Sequence, residues 1–230
     1  VPNCFNQFYT DRTNEGVAGW WTDLGEPESH PSDMFHFGSL TSSEIHNVYS
    51  LKWEKMVYEN WQNEFPNKRL FNLARSGFTG MQRYSTFPWS GDIQRSFEGL
   101  RAQIPIMLSL GFNGIPYMHS DIGGFTGGGN DDELFIRWVQ MGVFGPVFRI
   151  HGAGIETAPT AYGTNAQNIS REYIKLRYEL LPYNYTLAYE ASVSGTPFAR
   201  SMDFYEMQNA SLQNINDQYF WGSNFIIAPV

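Results

Sequence analysis

The 230-residue chain has a single cysteine, Cys4, which rules out an internal disulfide and a cysteine-built zinc site. Basic residues are scarce: 15 Lys and Arg stand against 23 Asp and Glu, for a net charge of -8. Phosphate backbones are bound by clustered Lys and Arg, so no nucleic-acid partner is expected. No apolar run approaches the roughly 18 residues of a membrane span, so none is expected. Internal repeats and low-complexity linkers are missing as well. The glycine run 123–129 lacks the Lys-Ser or Lys-Thr that follows a phosphate-binding loop, and Asp131, Asp132 and Glu133 behind it would repel an anion. His119, Asp121 and His151 make the best candidate metal set, but neither histidine has a second one two or four residues on. Neither a metal nor any other cofactor is expected.

Aromatic residues are abundant, at 17% of the chain. Two of them open the most informative stretch, Gly19-Trp20-Trp21-Thr22-Asp23-Leu24-Gly25-Glu26-Pro27-Glu28. Small apolar residues lead into two tryptophans, and three carboxylates follow within six residues. A buried strand that ends this way delivers its acids to a rim where loops begin, and indole beside carboxylate suits a sugar ring.

The rest of the chain repeats the pattern of strand, polar strand end, loop and helix. Strands are expected over about 17–23, 70–75, 114–121 and 146–151. Helices are expected over about 43–62, 92–110 and from 131 onward, with a long one over 171–193 bent at Pro182. Thr41-Ser42-Ser43-Glu44 is a capping-box signature, and Gly111 is the expected stop of the second helix. The glycine run is expected to be a flexible loop, and His30, His36 and His46 to be loop and surface residues. Segments 197–203 and 224–230 look like strands without intervening helices.

This is an α/β chain, read as the C-terminal half of a (β/α)8 TIM barrel over 1–195, with the start of a β-rich segment over 196–230. Four units are half of an eight-fold barrel, and the ends read as those of a piece of a longer protein. Asp23, Arg75, Asp92, Asp121 and His151 all fall at expected strand ends. Strand ends of one parallel sheet share a face, so the five are expected to converge. Asp23 and Asp92 lie two units apart, and two facing carboxylates are the requirement of glycoside cleavage.

The stretches 21–27, Arg75-Ser76-Gly77-Phe78, Trp89-Ser90-Gly91-Asp92, 119–125, 137–142 and Arg149-Ile150-His151 resemble glycoside hydrolase family 31, in the family's order. The terminal 222–230 is similar to that family's passage out of the barrel. The resemblance implies that Asp23 is the catalytic nucleophile and Asp92 the general acid/base. It implies that Arg75 and His151 hold the non-reducing glucose, and that Trp21, Trp89, Asp121 and Phe125 line its pocket. The implied substrate is an α-glucan or malto-oligosaccharide, cleaved with retention. Many members carry Met-Asn where this chain has Leu24-Gly25, and the Leu-Gly version resembles a bacterial 4-α-glucosyltransferase branch. Hydrolysis, glucosyl transfer, α-xylosidase activity and an inert carbohydrate-binding piece are the alternatives that the sequence leaves open.

Overall fold

Three short parallel strands carry the first half of the molecule. The computed structural model describes residues 2–230, with side chains from residue 4 onward. Its contacts divide it into two compact units, residues 1–89 and 90–230.

In the first unit, helix α1 (Pro2–Asn14) precedes strand β1 (Trp20–Thr22). A two-stranded antiparallel pair follows, β2 (Phe35–His36) and β3 (Leu40–Thr41). Then come helix α2 (Ser42–Ile45), a 3-10 turn over His46–Val48, and helix α3 (Tyr49–Glu64). Strands β4 (Asn72–Ala74) and β5 (Thr86–Pro88) complete a parallel sheet in the order β1-β4-β5. Thr22 stands beside Ala74, and Ala74 beside Pro88.

The strands are shorter than the sequence suggests. Pairing covers 20–22 and 72–74, because Asp23 and Arg75 leave the ladder at the rim, and Val17 is exposed. The single helix expected over 43–62 is α2, a tighter turn and α3. The capping box is real: the Thr41 N–H donates to Glu44 at 2.8 Å. Helix α3 buries Ser50, Glu54, Val57 and Trp61, three or four residues apart on one face. Tyr9 of α1, a helix that no pattern announced, packs with Val57, Trp61 and Leu70 and accepts a hydrogen bond from Trp53 Nε1 at 3.0 Å.

In the second unit, helix α4 (Phe97–Phe112) is capped by Ser96, whose Oγ accepts from the Gly99 N–H at 3.0 Å. The helix expected from 92 begins later: residues 92–96 are not helical, and Gln94 bridges Thr126 in parallel. Gly111 lies inside α4, close to Pro197, and does not stop it. Helix α5 (Asp132–Val143) is capped by Asp131, which accepts from the Leu134 N–H at 3.1 Å. The helix expected over 171–193 begins earlier and is two: α6 (Thr164–Glu179) and α7 (Leu181–Ser194). Pro182 has no N–H to continue the ladder, so it sits in the first turn of a new helix instead of bending an old one.

The strands expected over 114–121 and 146–151 do not form: turns and bends interrupt both stretches, and a parallel bridge joins Ile122, one residue past the first, to Ile150. The chain ends in an antiparallel sheet of β6 (Ala199–Arg200), β7 (Tyr219–Trp221) and β8 (Phe225–Ile227). Strand β7 went unread, although Tyr219-Phe220-Trp221 before Gly222 is a hairpin signal. Gly222 has φ +62°, and a Cβ there would strike Tyr183 and Leu187. Trp138, Phe135, Tyr219 and Trp221 fill the core of this unit, with Tyr162 stacked on Phe135 at 3.8 Å between ring centroids.

Candidate active site

Asp23 follows the last residue of β1, and its side chain is half exposed. Leu24 adopts φ +56°, a left-handed conformation uncommon for leucine, and its N–H donates back to Asp23 Oδ1 at 2.8 Å. Arg75 stands one residue past β4 and is nearly buried. Its guanidinium meets three carboxylates: Glu26 at 2.8 Å, Glu28 at 3.4 Å and Asp23 at 3.6 Å. The acids of the opening stretch are therefore gathered by one cation, and Glu26 is its nearest partner. Trp21 and Trp89 meet edge to face, with ring centroids 5.5 Å apart. Trp89 is buried and Trp21 is exposed.

His30 and His36 are half-buried and His46, in the 3-10 turn, is exposed, and His36 and His46 both touch His30. His30 Nε2 lies 2.7 Å from His36 Nε2, and His30 Nδ1 lies 3.1 Å from His46 Nδ1. This is a chain of imidazoles through His30, with no common point for a cation. Among the described residues no group of three His, Cys, Asp or Glu side chains is arranged to hold a metal ion.

The second unit gathers the remaining candidates. Asp121 is fully buried and paired with Arg149 Nη2. Arg149 Nε also donates to His119 Nε2 at 3.2 Å. Burial pushes the Asp121 carboxyl up, against the pull of Arg149 and His151, and Asp92 adds to the rise. Asp92 and His151 are thus each within electrostatic reach of Asp121. Phe125 and His151 have ring centroids 5.5 Å apart.

Two residues were given no role by the sequence reading. Arg149 is the cation that compensates Asp121. Arg95 is buried, and its guanidinium donates to the carbonyls of Phe125 at 2.9 Å, Ala153 at 3.2 Å and Gly127. The glycine run is therefore not free but wrapped around Arg95. A Cβ on Gly124, which has φ +81°, would lie 2.5 Å from the Arg95 Cα. The signal was a glycine run dense enough to allow such an approach.

The structure thus brings Trp21, Asp23, Arg75 and Trp89 into the first unit, and Asp92, Asp121, Phe125 and His151 into the second. In the first unit, acids and aromatics stand at the ends of parallel strands, as they do on the rim of an α/β barrel. Residues 2–187 match the family model of the glycosyl hydrolases family 31 TIM-barrel domain. The chain belongs to glycoside hydrolase family 31, and its fold is part of that family's TIM barrel followed by the small β6-β7-β8 sheet. It is 36% identical to alpha-glucosidase 2 of Bacillus thermoamyloliquefaciens, over 98% of this chain and 29% of that protein. It is 37% identical to an alpha-xylosidase of Saccharolobus solfataricus, over 94% of this chain and 31% of that protein. The solved structure of a family 31 dextranase from Flavobacterium johnsoniae superposes with a TM-score of 0.94 at 38% identity, covering all of this chain and 30% of that one. The chain spans about a third of the length of these relatives.

Proposed function

We propose that the protein carrying this chain is a retaining α-glycoside-acting enzyme, with Asp23 as nucleophile and Asp92 as general acid/base. Asp23 attacks the anomeric carbon, the glycosidic C–O bond breaks, and Asp92 gives its proton to the departing oxygen. Asp92 then takes a proton from an acceptor hydroxyl, whose oxygen displaces Asp23 from the sugar. The observation that carries this reading is the placement of Asp23: at the end of a parallel strand, half exposed, and oriented by the Leu24 N–H. Arg75 and His151 are assigned to the sugar hydroxyls, and Trp21, Trp89, Asp121 and Phe125 to the walls of the pocket. The substrate is an α-1,4-glucan or malto-oligosaccharide. The relatives named for α-glucosides, an α-xyloside and dextran favour an α-glycoside in general. Glucosyl transfer is the second reading, favoured by Leu24-Gly25 between the nucleophile and Glu26. The β6-β7-β8 sheet, from about residue 196, begins a following domain.

A 5-fluoro-glycosyl trap on the full-length protein should label Asp23, and a label on another residue would remove the assignment. Asp92→Ala should keep most activity only on substrates with good leaving groups, and azide should speed it. Products from maltotetraose then separate the readings: longer chains mean transfer, glucose alone means hydrolysis, and no change points to another α-glycoside such as a xyloside.

A further inference from the structure

Glu54 is a completely buried carboxyl group with no role in the chemistry above. It reaches from the middle of α3 to both leading strands of the parallel sheet. Oε1 lies 2.6 Å from Thr22 Oγ1, and Oε2 accepts from Asn72 Nδ2. Thr22 Oγ1 also lies 3.0 Å from the Leu73 carbonyl. A threonine hydroxyl carries one hydrogen. If Glu54 were ionised, that hydrogen would have to serve two acceptors, and one oxygen pair would be left in bare repulsion. If Glu54 holds a proton, every contact is satisfied: Glu54 donates to Thr22, and Thr22 donates to Leu73.

Thr22 is the residue before Asp23, and Asn72 pairs with Trp20 across the sheet. We propose that Glu54 is kept as a neutral carboxylic acid and acts as a positioning residue, pinning β1 and β4 to helix α3 so that the strand end carrying Asp23 is held still. Its catalytic half rests on the reading of Asp23 given above; its protonation state does not.

The surroundings agree. Burial raises the Glu54 carboxyl to about 8, and the bonds from Thr22 and Asn72 only partly oppose it. Tyr9 of α1 is the titratable group that feels Glu54, and its own phenol is held above the ordinary value, mainly by burial. Of the charged groups on neighbouring elements, Asp23 at the end of β1 lies with Glu26 and Glu28 around Arg75, at the end of β4. Arg83 lies on the turn after β4, where its Nε bonds the Gly80 carbonyl. On α3 itself, Lys55 pairs with Glu59 on the exposed face. Among these described contacts no cation is paired with Glu54.

The test uses the full-length protein and Glu54→Gln, whose amide can still donate to Thr22 and accept from Asn72. An infrared difference spectrum of wild type minus Glu54→Gln at pH 6 should show the carbonyl stretch of a protonated acid, and it should fade as pH passes about 8. A carboxylate band in its place overturns the proposal. In wild type the loss of the Glu54 proton should add a fall in kcat near pH 8, with KM little changed, to the limb set by the general acid, and Glu54→Gln should lack that added fall. Glu54→Leu, which removes both bonds, should lower kcat about a hundredfold at pH 6, the scale of a misplaced reacting group. An identical alkaline limb in Glu54→Gln, or wild-type kcat in a folded Glu54→Leu, also overturns the proposal. If the acid band is found but Asp23→Ala stays active, the reading of Asp23 fails and the neutral carboxyl stands.

Discussion

Each unit of the molecule buries one carboxyl group completely, and the two are handled in opposite ways. Asp121 has a cation against it: Arg149 lies on its Oδ1, with His151 within reach. Glu54 has neutral partners, a threonine and an asparagine. A buried charge is stable only if it is paired and hydrogen-bonded, and otherwise the group keeps or takes up a proton. The same burial therefore yields a held charge pair in the second unit and a proton donor in the first. What differs is whether the neighbouring segment brings an arginine. Arg149 arrives through the bridge between Ile122 and Ile150, where the Ile122 N–H donates to the Arg149 carbonyl at 3.0 Å.

The largest effect is expected from removing that arginine. Arg149→Met keeps the stem but leaves Asp121 buried without its cation. Breaking one side of such a pair costs on the order of 3–5 kcal/mol, and the partial exposure of Arg149 places this case at the lower end. Denaturant unfolding of wild type and variant at pH 7 measures it. The variant should also become more stable as pH falls, because Asp121 then escapes its penalty by taking up a proton. That would turn the second site into a copy of the first. A loss under about 1 kcal/mol would mean that the pair is no better than a surface ion pair, and the contrast would collapse.

The contrast was only half visible in the sequence. The strand-end positions of Asp23 and Arg75 were legible because each stands at the end of an apolar run, and turn chemistry marks such ends well. Thr41 to Glu44 and Asp131 were legible for the same reason: caps are local. Glu54 was not, because a glutamate in mid-helix is ordinarily solvated, and only the tertiary placement of Thr22 and Asn72 turns it inward. Arg95 and Arg149 were missed because their partners are backbone carbonyls or a distant acid. The split at Pro182 and the start of α6 at Thr164 were misread because helix propensity runs across the break without a polar gap. Helix α1 had too weak an amphipathic pattern to be seen before Tyr9 was found in the core.

An effect of comparable size, but spread over several pH units, should appear on titration. Glu54 lies at about 8 in the folded chain against an ordinary value of 4.5. The folded state therefore holds a proton that the unfolded state has released. Stability from this group is fully present below about pH 4.5 and is lost progressively until pH passes about 8, by at most about 1.4 kcal/mol per pH unit. Glu54→Gln should flatten that slope over pH 5–8. Unfolding free energies at four pH values, wild type against variant, give the difference directly, and parallel slopes would mean that Glu54 is ionised in the fold.

The smallest effect is expected one turn's face away, on the same helix. Lys55 and Glu59 form an i,i+4 pair at 3.5 Å, with both side chains more than half exposed. Such a pair contributes roughly 0.3–0.5 kcal/mol, and salt screens it. Lys55→Ala should therefore cost no more than that and should leave the alkaline fall of stability where wild type has it. The reason is geometric: Lys55 follows Glu54 directly in sequence, and consecutive helix residues point about 100° apart, so its ammonium faces water while the carboxyl faces the sheet. A shift of the Glu54 titration to higher pH in Lys55→Ala would show that this cation does reach the buried carboxyl. The first unit would then handle its acid as the second does, with a counter-charge at longer range, and the difference between the two sites would be one of distance and not of kind.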